Sequence, residues 1–145
     1  MELEIDIDDI LSNIKDIDMK TTLELEETNN DIIDAVYSKF IKYDKNKENI
    51  KITKGKISRL KYEYIENTID LNGNDSLFGI NLQNFYDLKL NYLGIFYKIN
   101  NDILILNKFN RIYKIKSEHY ILFRKLNSKN KINLLLMDTL SASNN

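Results

Sequence analysis

The chain has no cysteine, no proline, one histidine and four glycines in 145 residues. Without cysteine there is neither a disulfide framework nor thiolate chemistry. The lone histidine, His119, argues against structural zinc, which takes several nitrogen or sulfur ligands. The glycines form no G-x-x-x-x-G-K-[ST] loop and no G-x-G-x-x-G turn, and no Pro/Gly-rich linker interrupts the chain. No apolar run approaches the roughly 20 residues that span a bilayer. The opening "MELEIDIDDI" is acidic and lacks the basic-then-apolar order of a signal peptide, so the expected location is intracellular. Ser117, Glu118 and His119 adjoin in a segment read as strand, where neighbours point to opposite faces, so they form no triad. Asp8-Asp9 and Glu26-Glu27 read as element ends. The expectation is a non-enzyme with no catalytic residue, no metal, no cofactor and no small-molecule substrate.

Isoleucine, asparagine and lysine dominate, with 22, 20 and 18 copies, and alanine occurs twice. This is the signature of A- and T-rich codons, and it weakens any single lysine as a sign of phosphate binding. Charge, however, is segregated. Residues 1–34 hold 12 acids against 2 bases, and the remainder holds 10 acids against 19 bases. An acidic head on a basic body can pair internally, dock on a basic partner, or restrain the body from binding nucleic acid.

The periodicity predicts an α+β protein. Ile7, Ile10, Leu11 and Ile14 fall at helical spacing behind Asp6, predicting a short acidic helix over about residues 7–16, suited to core packing or partner docking. "TTLELEE", 21–27, alternates and predicts a strand. A helix follows, capped by Thr28 and carrying Ile32, Ile33, Val36, Tyr37, Phe40 and Ile41 on its face. "KNKEN", 45–49, reads as a polar turn. The stretch "KITKGKISRLKYEYI", 51–65, reads as a basic strand bent at Gly55, with a helix over 57–64 as the alternative. Asn72-Gly73 signals a hairpin. Residues 84–99 read as one or two strands bent near Gly94. "DILIL" with "RIYKIK", and "HYILFRKL" with "KINLLLMD", read as two further hairpins. The expected architecture is an acidic N-terminal helix and a helix-on-sheet tip, then a small C-terminal antiparallel OB-like β-barrel. The corresponding divisions are 1–17, an acidic extension; 18–88, the tip; 89–140, the barrel; and 141–145, a disordered tail.

Two constellations stand out. Aromatic and basic residues interleave in "KFNRIYKIK" and "YILFRK". A basic groove with aromatics can hold single-stranded nucleic acid, so Lys108, Phe109, Arg111, Tyr113, Lys114, Lys116, Arg124 and Lys125 are the expected nucleic-acid contacts. A plainer account is that the aromatics fill a small barrel whose wet face carries the lysines. The second constellation is the acidic head, whose Ile7, Ile10 and Leu11 are the expected docking residues where it meets a partner.

"TLELEETNNDIIDAVYSKFI" followed by "IKITKGKISRLKYEYI", with "HYILFRKLNSKNKINLLLMDTL" at the end, resembles the stalk subunits of multisubunit RNA polymerases. It is especially similar to their reduced counterpart in poxviruses. The resemblance spans about residues 17–140. The family's proline after the first strand is absent, and its turn glycines are reduced to Gly73, Gly79 and Gly94. The resemblance implies a non-catalytic subunit of a DNA-dependent RNA polymerase that docks on the large subunits near exiting RNA, with Lys54, Gly55, Lys56, Arg59 and Lys61 on the docking surface. It also implies a location in host cytoplasm and virion, with no membrane partner. Two alternatives are an accessory protein-binding module acting through the acidic head, and a stand-alone binder of single-stranded nucleic acid.

Overall fold

The structure is a computed structural model that describes residues 22–126 and 128–143. Two helices lead the described chain, α1 (Thr22–Ser38) and α2 (Asp44–Leu60). Six strands follow: β1 (Tyr62–Ile65), β2 (Ser76–Asn81), β3 (Leu90–Asn100), β4 (Ile103–Lys108), β5 (Arg111–Lys116) and β6 (Tyr120–Lys125). A last helix, α3 (Ser128–Ser143), closes the chain. The strands form one antiparallel sheet in the order β1-β6-β2-β3-β4-β5, so strands from both sides of residue 88 share it. No described helix is long and apolar enough to cross a membrane.

Several expectations are corrected. "TTLELEE" opens α1 instead of forming a strand, because the stripe that packs is Leu25, Asn29, Ile33 and Tyr37 at i, i+4 spacing, with Leu23 exposed. Thr28 therefore lies inside the helix and does not cap it. "KNKEN" and the basic stretch through Leu60 form α2, whose buried stripe is Asn46, Asn49, Thr53 and Ile57. Three of those four residues are polar, so the stripe has no hydrophobic period to read. Gly55 is an exposed helical position with open space for a Cβ, so it marks no bulge. The helix stops at Lys61, whose backbone is left-handed (φ 56°) and whose N–H donates to the Ile57 carbonyl.

The buried polar residues join the helices to the sheet. Asn46 Nδ2 donates to the carbonyls of Phe40 (2.9 Å) and Phe85 (2.8 Å), and its Oδ1 accepts from the Leu88 N–H (2.8 Å). The Tyr37 hydroxyl donates to the Leu88 carbonyl (2.7 Å) and lies 2.9 Å from the Thr53 hydroxyl. Burial raises the Tyr37 pKa, so the phenol stays a donor. These bonds pin the loop ahead of β3 to both helices, and no buried side-chain polar atom among the described residues lacks a partner. Asp138 of α3 closes the N-terminus of α1. One of its carboxylate oxygens accepts from the Thr22 N–H (2.7 Å) and the other from the Thr22 hydroxyl.

The sheet is not closed into a barrel, contrary to expectation. β1 and β5 are its edges and do not pair. Asn29 supplies a physical reason. Its Nδ2 donates to the Tyr62 carbonyl (2.7 Å) and its Oδ1 accepts from the Tyr64 N–H (3.1 Å), so one side-chain amide occupies the outer edge of β1. A closing strand would need those same groups. The hairpin expected at Asn72-Gly73 is instead a turn leading into β2, with β6 lying between β1 and β2. The hairpin expected after β6 is α3: the leucine run there reads equally as strand or helix. Residues 141–143, expected in a disordered tail, are the last of α3. The helix expected over 7–16 lies outside the described residues.

Two cores lie on opposite faces of the sheet. Ile33, Tyr37 and Ile57 of the helices pack with Tyr62, Ile80, Leu90 and Phe123. The other face buries Ile65, Leu77, Leu93, Phe96, Leu104, Leu106 and Leu122, a cluster to which no residue of α1 or α2 belongs. Leu77, Leu104 and Leu106 are fully buried there, on a sheet that bends at β3. Register shifts in β3 at Leu93 and Tyr97 supply that bend. Gly94 sits between them at φ +126°, where an added Cβ would come within 2.7 Å of the Asn107 carbonyl oxygen. Only glycine suits that position.

Candidate functional site

The β4–β5 hairpin is built by alternation. Leu104 and Leu106 of β4 pair with Ile115 and Tyr113 of β5 and face the concave core, while Ile105 pairs with Lys114 and Ile103 with Lys116 on the other face. Lys108 and Arg111 form the last rung. Two residues then close the turn, Phe109 (φ 51°) and Asn110 (φ 64°). Two successive positive φ values make the right-handed hairpin turn that asparagine and glycine favour. Asn110 suits it, but Phe109 is a bulky side chain in a left-handed backbone, a local strain.

That strained phenylalanine is 81% exposed. Its ring meets Tyr92 edge-on at 6.4 Å, Tyr92 lies 5.2 Å from Phe78, and Phe78 stacks on buried Tyr62 at 4.3 Å. A row of four rings thus runs from the core to the surface. The Lys108 ammonium stands over its outer end, 5.8 Å from the Phe109 ring centre and 5.9 Å from that of Tyr92. Arg111, Lys114 and Lys116 are exposed beside it.

The residues expected to touch nucleic acid therefore divide. Lys108, Phe109, Arg111, Lys114 and Lys116 come together on the hairpin. Tyr113 faces the concave core, where burial first, and Tyr120 and Tyr92 after it, raise its pKa. Arg124 is engaged internally: its Nε meets Glu63 at 2.9 Å, and its Nη1 meets the Asp70 carbonyl at 2.8 Å and Asp75 at 3.3 Å. The Arg124 side chain is only 13% exposed. Burial alone would lower its pKa, but Glu63 and Asp75 outweigh that and raise it. Lys125 is exposed on β6, three strands from β4 in the sheet order. Tyr92, which the sequence reading passed over, supports the platform. Its signal was the bend in β3 that sets it opposite Phe78.

The expected docking residues lie on α2, not on a strand. Lys54 pairs with Asp34 at 2.6 Å and Lys61 with Glu26 at 3.6 Å, so both tie α2 to α1. Arg59 is exposed in the last turn of α2. Lys56 lines a cleft of about 210 Å³ with Asn49, Ile52, Thr53, Lys89 and Leu90. Ile7, Ile10 and Leu11 lie outside the described residues. Ser117–His119 forms a single 3-10 turn rather than strand, with His119 Nε2 3.9 Å from Glu118. Among the described residues no group of three or more histidine, aspartate or glutamate side chains is placed to hold a metal.

Comparison with known proteins returns no match: no family model, no curated protein and no solved structure is significantly similar to this chain. What the structure establishes is the class, an α+β protein with an open six-stranded antiparallel sheet.

Proposed function

We propose that this is a non-catalytic binding protein that holds single-stranded nucleic acid on the β4–β5 hairpin. The observation that carries the reading is Phe109, an exposed ring in a strained turn, backed by Tyr92 and flanked by Lys108 and Arg111. Strain kept at an exposed aromatic needs a reason that folding does not supply. A base stacking on the ring, with the cations along its phosphates, is such a reason. Lysines on an open edge strand also deter edge-to-edge pairing, but that role does not call for Phe109.

The test is a titration of a labelled oligonucleotide of about ten residues, followed by fluorescence anisotropy over a series of salt concentrations. The expected affinity falls with salt at a log–log slope of roughly −3, from about 0.7 per phosphate neutralised by four cations. Absence of binding at low salt, or binding indifferent to salt, overturns the reading.

Membership of an RNA polymerase is the other proposal, drawn from resemblance. It would place the large polymerase subunits as partners. Both leading segments that carried it were expected to include strands where α1 and α2 now stand, so the hairpin carries the present reading. A tagged pull-down separates the two: large polymerase subunits in near-equal amount favour the subunit, and nucleic acid without them favours the stand-alone binder.

A further inference from the structure

One face of the sheet is covered over half its width and bare over the other. Register fixes this. Ile80, Phe78 and Ser76 alternate onto the face packed by α1 and α2, and Ser76 pairs with Ile95. Ile95 pairs with Asn107, which pairs with Ile112; Lys98 pairs with Ile105, which pairs with Lys114. These residues therefore continue the helix-covered face onto β3, β4 and β5, and none of them belongs to the core cluster that α1 and α2 build. Ile112 is 69% exposed, and Ile95 and Tyr97 are exposed beside it. The surrounding charge is positive: residues 95–116 hold five bases and one acid, Asp102.

We infer that the acidic N-terminal segment, residues 1–21, docks on this bare face of its own chain. Three observations point there. The segment has seven acids and two bases against the five bases and one acid of residues 95–116. Its apolar residues Ile7, Ile10, Leu11 and Ile14 recur at the spacing of one helical face, which matches an apolar patch rimmed by Lys98, Lys114 and Lys116. The tether is also long enough. The described chain starts at Thr22, and one turn on Glu26 reaches Lys61, which precedes edge strand β1. β4 lies four strands across, about 19 Å at the usual spacing. The eight residues from Ile14 to Thr22 span up to about 26 Å. Docked there, the segment covers the patch and lies against Lys114 and Lys116, so it competes with any polyanion on the hairpin. The docking itself does not depend on the nucleic-acid reading.

A chain without cysteine makes the test direct. The full chain carrying Ile10→Cys and Ile112→Cys is treated with a short bis-maleimide and compared with a chain carrying Ile10→Cys and Glu66→Cys. Glu66 follows β1, nearest the tether, so a segment without a docking site reaches it at least as often. The inference predicts intramolecular cross-linking to position 112 roughly tenfold faster than to 66, from the raised effective concentration, and loss of that preference in a Lys114→Glu, Lys116→Glu background. Equal rates, cross-links only between chains, or a preference that survives the charge reversal would overturn it. Because no nucleic acid is present, a failure of the hairpin reading leaves this result unaffected.

Discussion

The two halves of the sheet's outer face are built on different chemistry. Over β1, β6 and β2 the face is covered by helices, and the junction holds buried amides and hydroxyls: Asn29, Asn46, Asn49, Thr53 and Tyr37. Over β3, β4 and β5 the same face exposes Ile95, Ile112 and lysines, and it ends at a phenylalanine in a strained turn. The edges differ likewise. Asn29 seals the edge at β1, whereas β5 presents Arg111, Lys114 and Lys116. On this face the buried polar contacts lie in the first half and the exposed apolar side chains in the second.

The comparison breaks most sharply at Asn46. Replacing it with alanine leaves the Leu88 N–H and the Phe85 carbonyl without that partner, while the Phe40 carbonyl keeps the Tyr43 N–H. The expected loss is about 3 kcal/mol in denaturant-monitored unfolding. Gly94→Ala comes next. A left-handed alanine pressed against the Asn107 carbonyl is expected to cost about 2 kcal/mol, and a loss under half of that would show that β3 bends without it.

Asp87 tests the covered half through pH. The Asn49 amide donates to its carboxylate at 2.8 Å, with Lys89 at 3.4 Å and Lys45 at 3.8 Å. That hydrogen bond first, and the lysines after it, hold its pKa below the ordinary 3.8 despite partial burial. A depressed carboxylate contributes stability that is present above its unfolded pKa and lost as pH falls through the folded one. Thermal melts from about pH 6 to about pH 2 should therefore show Asp87→Asn less stable than the native chain at the upper end, the gap closing below about pH 4. A constant gap would remove the carboxylate from the account. The smallest effect belongs to Lys54→Met. Its pairing with Asp34 is partly exposed, so the change should stay within about 0.5 kcal/mol, in contrast to Asn46 on the same helix.

The same chemical division governs what was legible in the sequence. The β4–β5 hairpin was readable because "DILIL" and "RIYKIK" alternate cleanly and adjoin, and the bend at Gly94 was readable from the glycine itself. Lys108, Phe109, Arg111, Lys114 and Lys116 were readable as a group because a hairpin keeps sequence neighbours together. The helices were readable only in part: a helix carrying Ile33, Val36 and Tyr37 was expected, but not the first turns of α1, and α2 was read as turn and strand with a helix only as the alternative over 57–64. Their buried stripes contain Asn29, Asn46, Asn49 and Thr53, and a polar residue satisfied in the interior looks the same in sequence as one on the surface. Arg124 was misplaced for a related reason. Glu63 lies 61 residues away and Asp75 lies 49, so its pairing exists only after folding. The missing closure of the barrel turns on one amide, Asn29, whose competition for the β1 edge leaves no periodic trace.

The most direct test of the hairpin account is Phe109→Gly, measured for both stability and oligonucleotide affinity. Glycine accepts the left-handed turn without strain, so the variant should be as stable as the native chain or up to about 1 kcal/mol more so. Losing the stacking ring should weaken single-strand binding about tenfold, at the lower end of what one stacked base contributes. Opposite movement of the two quantities is the predicted result. A variant that loses stability and keeps its affinity would show Phe109 to be a packing residue and contradict the account.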